Sequence, residues 1–349
     1  ARGLTYMLPS QTAFEVGALL TRTFGPFRWQ IATTATDANR AALRVARAVT
    51  GRRKVLVFNA AYHGSVDETM VTLSNGITTG QPALLGPPFD AATAAVAAEF
   101  NDLSSVEAAL ATGDIAAILT EPVMTNSCMV LPDPGFHTGL RALASQYGAL
   151  LIMDETHTLS SGLGGYSHVH GLTPDIFVAG KAVAGGMPTA VWGMTDAVAA
   201  RLDAVNAARP AGRSGMGTTL SANPMQVACL KATLAEVMTP AAYAHMEAGA
   251  VRLAAGLAAV IAARALPWHI VRVGARVELI CWPVPLRNGT EADLAHAPQL
   301  EAAIHQGLVN RGCLIAPFHN MMQVSPVTGA DQVDRLVAAF GEVVGALAG

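Results

Sequence analysis

Charged side chains are scarce in this sequence, and their scarcity limits the partners that the protein can have. Asp, Glu, Lys and Arg make up 13% of the 349 residues, whereas 52% are apolar. So few charges predict that other chains cover much of the surface, as in an obligate oligomer. The net charge is −3 and the sequence has no basic run, so we expect neither nucleic acid nor an anionic membrane as a partner.

Cysteine is also rare, and the few cysteines show no paired spacing. Cys128, Cys229, Cys281 and Cys313 are scattered without a C-x-x-C pair, which favours reduced thiols in a cytoplasmic protein. No apolar stretch is expected to approach the ~18 residues of a membrane span. The sequence opens at Ala1 without a methionine or a signal-peptide pattern, so we expect an N-terminal piece to be missing.

Two further absences narrow the function. No G-x-G-x-x-G or phosphate-binding P-loop follows any predicted strand, which argues against an ordinary nucleotide-binding α/β protein. His168 and His170 form an H-x-H pair. No third ligand lies at a suitable spacing, so no metal site is expected.

The most informative stretch runs from residue 149 to 181. Two short apolar runs each end in charged groups, Asp154 with Glu155 after the first and Lys181 after the second. Such runs are typical of buried parallel strands, whose carboxyl ends share one crevice. A lysine that can attack a carbonyl, beside a carboxylate that can hold a protonated ring nitrogen, suits pyridoxal phosphate. Two strand ends with solvated charges are the alternative.

The order of elements predicts an α/β fold in which strands and helices alternate. Predicted strands cover 54–59, 115–120, 149–154 and 189–194. Predicted helices cover 38–49, 103–111, 134–147, 196–205, 225–238 and 241–266. Residues 72–95 show no periodicity and are predicted to form a long loop. After Pro267 the pattern changes to a small α+β domain, with strands at 269–273, 277–282 and 314–317 and helices at 300–311 and from Asp331 onward.

Two stretches of small and hydroxyl side chains precede helices and are candidates for a phosphate site. Thr36 or Asp37 is expected to cap the helix that Gly51 ends, and free amides at such a helix start favour an anion. Thr218 and Thr219 precede a later helix in the same way. Most capped helices bind nothing, so this pattern by itself is weak.

Six motifs occur in the order that one enzyme family has them. They are Thr-Ala-Thr-Asp-Ala at 34–38, Tyr-His-Gly at 62–64, Glu-Pro at 121–122, Asp-Glu at 154–155, Gly-Lys at 180–181 before Gly-Gly-Met-Pro at 185–188, and Thr-Leu-Ser-Ala-Asn-Pro at 219–224. Together they resemble a class III, fold type I pyridoxal-phosphate aminotransferase. The resemblance is nearest to the branch with glutamate-1-semialdehyde aminomutase and the β-phenylalanine aminotransferases, and it covers nearly the whole chain.

The resemblance implies a fold, a cofactor and a set of site residues. The fold would be a large domain at 31–240 with a mainly parallel sheet flanked by helices, after an N-terminal segment at 1–30 and before an interdomain helix and small α+β domain at 241–349. Lys181, as the Schiff-base lysine, and Asp154, under the ring nitrogen, would be catalytic. The implied pyridoxal-phosphate contacts are Thr34, Ala35, Thr36, Tyr62, His63, Glu121, Asp154, Thr156, Lys181 and Thr219.

The implied reaction is a ping-pong transfer of an amino group from an amino acid or amine to a 2-oxo acid. The alternatives are a glutamate-1-semialdehyde-type aminomutase and a pyridoxal-phosphate-binding protein without catalysis, with a racemase less favoured. The resemblance also implies a homodimer with shared active sites, in which Thr219 reaches the phosphate bound by the partner subunit.

The sequence departs from the family pattern at three small positions and leaves the substrate open. Ala35 and Ala222 replace family glycines, and Thr156 replaces the usual valine. The resemblance implies a segment before Ala1 that helps wall the substrate pocket, and we expect this segment to be missing from the sequence. Candidate substrate contacts are Arg213, Phe318, Met321 and Met322. The alternative for Arg213 is a solvated surface side chain. The alternative for the other three is simple packing in the core.

Overall fold

A seven-stranded sheet forms the centre of the molecule in a computed structural model that describes residues 8–317 and 319–348. Its strand order is β1-β9-β8-β7-β6-β2-β5. The strands are β1 (Arg28–Ala32), β2 (Lys54–Phe58), β5 (Ala95–Ala98), β6 (Ile115–Thr120), β7 (Leu150–Asp154), β8 (Ile176–Ala179) and β9 (Ala190–Met194). Strands β5, β2, β6, β7 and β8 run parallel, whereas β9 is antiparallel to both β8 and β1. The expected mainly parallel sheet is confirmed.

Helices cover both faces of this sheet, as the α/β prediction requires. The helices of this part of the chain are α1 (Gln11–Phe24), α2 (Ala35–Thr50), α3 (Leu103–Leu110), α4 (Phe136–Tyr147), α5 (Gly165–Val169), α6 (Asp196–Ala208) and α7 (Pro224–Ala232). On one face, Ala38, Ala42 and Val45 of α2 pack against Val57 and Val178. Helices α3 and α4 close the opposite face, because alternate strand residues point to opposite sides.

A separate three-stranded antiparallel sheet organises the C-terminal part. It has the order β10-β11-β12 and is formed by β10 (His269–Val273), β11 (Arg276–Ile280) and β12 (Met321–Gln323). The accompanying helices are α8 (Pro240–Ala263), α9 (Gly289–Ala295), α10 (Pro298–Val309) and α11 (Ala330–Ala348). The domain boundaries at 30 and 240 stay a prediction. The large sheet draws its strands from residues 28–194 and the small sheet from 269–323.

Three local predictions were wrong. The side chain that caps α2 is Thr34, which accepts from the amide of Asp37, because the helix begins earlier than the apolar periodicity. Residues 72–95 are not one long loop, since a hairpin of β3 (Val71–Ser74) and β4 (Ile77–Gly80) lies within them. The apolar run at 314–317 forms no strand, and β12 pairs with β11 instead, because a short apolar run does not by itself reveal its partner.

Helix α8 corrects the expectation about apolar length. It has 24 residues and contains an 18-residue window with a mean hydropathy of 1.6, so by length and composition alone it could cross a membrane. Its buried residues Met246, Ala250, Leu253, Leu257 and Ile261 follow helical spacing and pack in the core of the small domain. The apolar composition therefore serves packing against β10 and α11 in this structure.

Replacing Ala222 with glycine should stabilise the protein. Ala222 has a φ of 60°, a left-handed conformation that costs a residue with a Cβ atom about 1–2 kcal/mol. Glycine adopts it freely, although it also loses more freedom on folding, so we expect a net gain of roughly 0.5–1 kcal/mol. Thermal unfolding of Ala222→Gly measures this gain. Ala258→Gly, on the exposed side of α8, should lower stability by a similar amount, and the same sign in both variants would contradict the prediction.

Candidate active site

Two neighbouring parallel strands bring Asp154 and Lys181 to one cavity. Asp154 ends β7 and lies opposite Val178 of β8, so Lys181 follows just beyond the end of that strand. The side chains of both residues line one cavity at the carboxyl edge of the sheet. The cavity is lined by Ala35, Tyr62, Glu121, Asn126, Asp154, Thr156, His157 and Lys181. Six of the ten predicted cofactor contacts therefore meet in one place.

Asp154 is a buried carboxylate that stays ionised. Its Oδ2 accepts from Asn39 Nδ2 at 2.8 Å and contacts His63 Nδ1 at 3.0 Å, and its Oδ1 accepts from the Thr156 amide at 3.1 Å. Burial by itself would raise the pKa of Asp154, but the hydrogen bond and charge of His63, together with hydrogen bonds from Thr156 and Asn39, outweigh burial and lower it to about 2. The group is therefore a permanent negative charge at the floor of the cavity.

Lys181 begins a short 3-10 turn, Lys181–Ala184, with a left-handed φ of 47°. Burial lowers the pKa of its amine, although the negative charges of Asp154 and Glu121 oppose that change. A lowered pKa increases the neutral fraction, which is the form that attacks a carbonyl. Gly180 lets the start of α2 approach the lysine, because a Cβ there would lie 2.9 Å from Ala35 Cβ.

The start of α2 offers an anion site beside this cavity. Thr34 Oγ1 donates to Asp37 Oδ2 at 2.9 Å, and Thr36 Oγ1 accepts from the Ser65 amide at 3.1 Å. Gly64 has a φ of 83°, and any Cβ there would collide with Thr36. A glycine thus allows the loop after β2 to close on a helix N-terminus, where the helix dipole favours a phosphate.

Glu121 and His157 form a buried polar group at the wall of the cavity. Glu121 accepts from Thr125 and from Asn126 Nδ2 at 3.2 Å, and burial raises its pKa. His157 Nδ1 lies 3.7 Å from the Glu121 carboxylate, and burial lowers the pKa of this imidazole to about 3. His157 is therefore neutral at physiological pH.

The residues of this cavity fit pyridoxal phosphate. Thr156 Oγ1 is buried and has no hydrogen-bond partner in the described part of the chain, so a polar ligand atom is needed there. Asp154 would hold the ring nitrogen, Lys181 the aldehyde carbon, and Thr34, Thr36 and the α2 amides the phosphate. Tyr62, which is 47% exposed at the cavity mouth, would cover the ring.

The remaining predicted contacts lie elsewhere. Arg213 and Thr219 are exposed in the segment before α7. This segment lies next to the start of α2, because Thr218 Oγ1 is 3.4 Å from Thr33 Oγ1. Met321 and Met322 are neighbours on β12 and point to opposite sides, Met322 into the core of the small domain. Phe318 lies outside the described residues. The roles of these residues stay predictions.

Several residues near the cavity were not predicted from the sequence. Asn39 and Asn126 contribute hydrogen bonds to Asp154 and Glu121, and their patterns in the sequence were unremarkable. Arg276 and Glu278 of β11 are buried, with side chains 5% and 0% exposed. Two charges at period-two spacing in an apolar strand, within a chain poor in charge, were a signal that sequence reasoning could have used.

Glu278 should make stability depend on pH. Burial raises its pKa from 4.5 to about 8, so the folded protein retains a proton that the unfolded chain releases. A raised folded pKa gives stability that is fully present below about pH 4.5 and is lost as pH rises toward about 8. Glu278→Gln removes this loss, so its melting temperature should rise relative to the parent between pH 5 and pH 8. The exposed Glu247→Gln is the control, and equal pH trends in Glu278→Gln and the parent would contradict the assignment.

The comparisons with known proteins agree with this geometry. The model of the aminotransferase class-III family matches residues 4–344. A glutamate-1-semialdehyde 2,1-aminomutase of Desulforudis audaxviator is 32% identical over 97% of this chain and 78% of its own length. The crystal structure of a glutamate-1-semialdehyde aminomutase from Pseudomonas aeruginosa PAO1 has a TM-score of 0.96 and 48% identity, over 99% of this chain and 78% of that one.

A transaminase structure is similar over the same length. An omega-transaminase from Sphaerobacter thermophilus has a TM-score of 0.89 and 25% identity, over 99% of this chain and 81% of that one. The Pseudomonas aminomutase was also solved as a lysine-to-alanine variant in complex with PMP. The family match, the fold and the cavity with Asp154 and Lys181 agree, and the chain belongs to the class III aminotransferases, a family of pyridoxal-phosphate enzymes with the type I fold.

Proposed function

We propose that the protein moves an amino group within a carboxylate-bearing amino aldehyde, as a glutamate-1-semialdehyde-type aminomutase does. The pairing of Lys181 and Asp154 in one cavity at the carboxyl edge of the sheet carries the part of the proposal that concerns amino-group chemistry on pyridoxal phosphate. The similarity to aminomutases over most of the chain favours this reaction over the transfer to a 2-oxo acid that the motifs suggested first.

The chain's own residues account for the proton movements of such a reaction. Bound pyridoxal phosphate supplies an electron sink for the negative charge that develops on the substrate carbon. Lys181 Nζ accepts the proton from the substrate carbon that bears the nitrogen, and it later donates a proton back as a general acid. Asp154 remains ionised and would keep a proton on the ring nitrogen, while Glu121 and the neutral imidazole of His157 keep the wall of the cavity polar.

Amino transfer from an amine or amino acid to a 2-oxo acid is the second candidate. The similarity to the omega-transaminase over 99% of this chain supports it. The two reactions share every residue described above and differ in whether the nitrogen leaves the protein with the first substrate. They are therefore separated by the need for a co-substrate.

Parallel assays test both candidates. In the first assay, the pyridoxal-phosphate-loaded protein is incubated with glutamate 1-semialdehyde alone. In the second, it is incubated with β-phenylalanine or a small aliphatic amine together with pyruvate. Lys181→Ala is the negative control in both. Isomerisation of the semialdehyde without any keto acid supports the aminomutase. Turnover only with a keto acid overturns it in favour of the transaminase, and a cofactor spectrum that no amine changes overturns both.

We also propose a cytoplasmic homodimer with shared active sites. Support comes from the low charged fraction and from exposed apolar side chains on packed neighbours, Phe14 of α1 and Met225 of α7, with Leu220 before α7. Thr219 would reach the phosphate of the partner's site. Mixed Lys181→Ala and Thr219→Ala subunits should then form hybrids with one intact site. A fully active monomer in sedimentation would overturn the dimer.

A further inference from the structure

Arg276 and Glu278 point from the small sheet toward the large domain. Residues 277 and 279 of β11 pack into the core of the small domain, so the alternating residues 276, 278 and 280 face the other way. Ile280 confirms this direction, because it packs in the cluster that contains Met124 of the large domain. The two charged side chains are thus enclosed between the sheets rather than solvated.

The hydrogen bonding of this pair is incomplete. Arg276 Nη1 lies 3.8 Å from Glu278 Oε1, which is longer than a hydrogen bond. Arg276 Nε and both carboxyl oxygens of Glu278 have no hydrogen-bond partner among residues 8–317 and 319–348. Arg276 Nη1 instead contacts the thioether of Met321. Buried polar groups are almost always bonded, so an arginine with open donors indicates a place for another acceptor.

The start of β11 lies beside the wall of the cavity that contains Lys181, because the amide of Ala275 donates to the carbonyl of Ser160 at 3.0 Å and Ser160 Oγ donates to the carbonyl of His157 at 3.1 Å. The positive charge of Arg276 contributes to lowering the pKa of Lys181 and of His157, and the Glu121 charge acts on Arg276 in turn. Glu278 has a pKa of about 8 and is mostly protonated at neutral pH, so it leaves the guanidinium charge largely uncancelled. An anion near Arg276 would find a dry guanidinium whose adjacent carboxyl group, Glu278, makes no hydrogen bond with it.

We propose that Arg276 binds the carboxylate of the substrate. A guanidinium presents paired donors that match a carboxylate, and the flexible Met321 side chain is the group that the carboxylate would displace. This inference rests on the proposed function, since it takes the substrate to be an amino or oxo acid. The alternative is a buried pair that only braces the small domain against the large one.

Binding of a non-reacting carboxylate tests the assignment without turnover. Pentanoate and its uncharged isostere pentanamide are titrated into the pyridoxal-phosphate-loaded protein, with the cofactor spectrum and calorimetry as readouts. Arg276→Gln should weaken pentanoate binding by about 10- to 100-fold, the range for a hydrogen bond to a charged group. It should leave pentanamide binding unchanged. Arg276→Lys should fall between the two, because lysine keeps the charge without the fork.

Arg272→Gln is the matched control, because Arg272 lies on the neighbouring strand and pairs with Glu247 at 3.5 Å. It should bind pentanoate like the parent. If Arg276→Gln loses its fold, Arg276→Gln with Glu278→Gln removes both charges and avoids an unpaired buried one. Pentanoate binding within twofold of the parent in either variant overturns the proposal. The half-reaction of an amine without a carboxylate is followed in parallel by the cofactor spectrum. Because this amine does not need Arg276, loss of its half-reaction would indicate failure of the proposed function rather than of the Arg276 assignment.

Discussion

Lys181→Ala loses covalent attachment of pyridoxal phosphate and at least about 10³-fold of activity, the combined effect of removing a nucleophile and a general acid–base. The fold should survive, because the lysine side chain reaches into an open cavity and alanine retains the same left-handed backbone without a larger penalty. Absorbance of the bound cofactor and turnover measure the two losses.

The chain provides a sharp test of this assignment because it has only three lysines, Lys54, Lys181 and Lys231. Borohydride reduction of the loaded protein should fix the cofactor on Lys181, as read by peptide mapping. Lys231, which forms an exposed ion pair with Glu15 at 2.6 Å, is the control, and Lys231→Ala should keep normal activity. Label on either of the other two lysines would disprove the role of Lys181.

Asp154→Asn should retain some cofactor and lose activity by about 10²- to 10⁴-fold. An amide carries no charge, so it cannot hold the proton of the ring nitrogen, and a charge pair in a dry site is worth several kcal/mol at about 1.4 kcal/mol per tenfold. The amide has the same size as the carboxylate, so Asn39 and His63 should stay in place while the negative charge that they contact is lost. Single-turnover kinetics with a saturating amine measure the loss.

Asp196→Asn is the control for this variant. Asp196 pairs with Arg28 at 2.8 Å with a side chain 83% exposed, far from the cavity, so its replacement should leave turnover unchanged. Near-normal turnover of Asp154→Asn would contradict the role of Asp154 as the partner of the ring nitrogen. The same result would also weaken the cofactor fit, because that fit depends on the ionised carboxylate.

The alternation of elements and the cluster at strand ends could be predicted from the sequence. Strand β7 has an apolar run that ends in Asp154, and the run before Lys181 has the same form, so local patterns indicated the pair and the six ordered motifs favoured it over two solvated strand ends. Parallel strands bring their carboxyl ends to one edge, and this rule predicts that Asp154 and Lys181 lie close together. Local errors arose where the apolar pattern does not mark the first residue of a helix, as at the α2 cap, and where a tertiary contact chooses the pairing strand, as at β12.

The sequence by itself therefore determined the fold class, which depends on short periodic patterns, and the order of its six motifs pointed to Asp154 and Lys181. Only the tertiary structure showed that Arg276 is buried on the face of β11 that points away from the core of the small domain, since no local rule sets the docking of one sheet on another. Asn39 likewise reaches Asp154 only because α2 packs across the sheet. Charges and polar groups from distant segments met at this site because burial between two packed sheets, rather than neighbouring sequence, decides which side chains share a cavity.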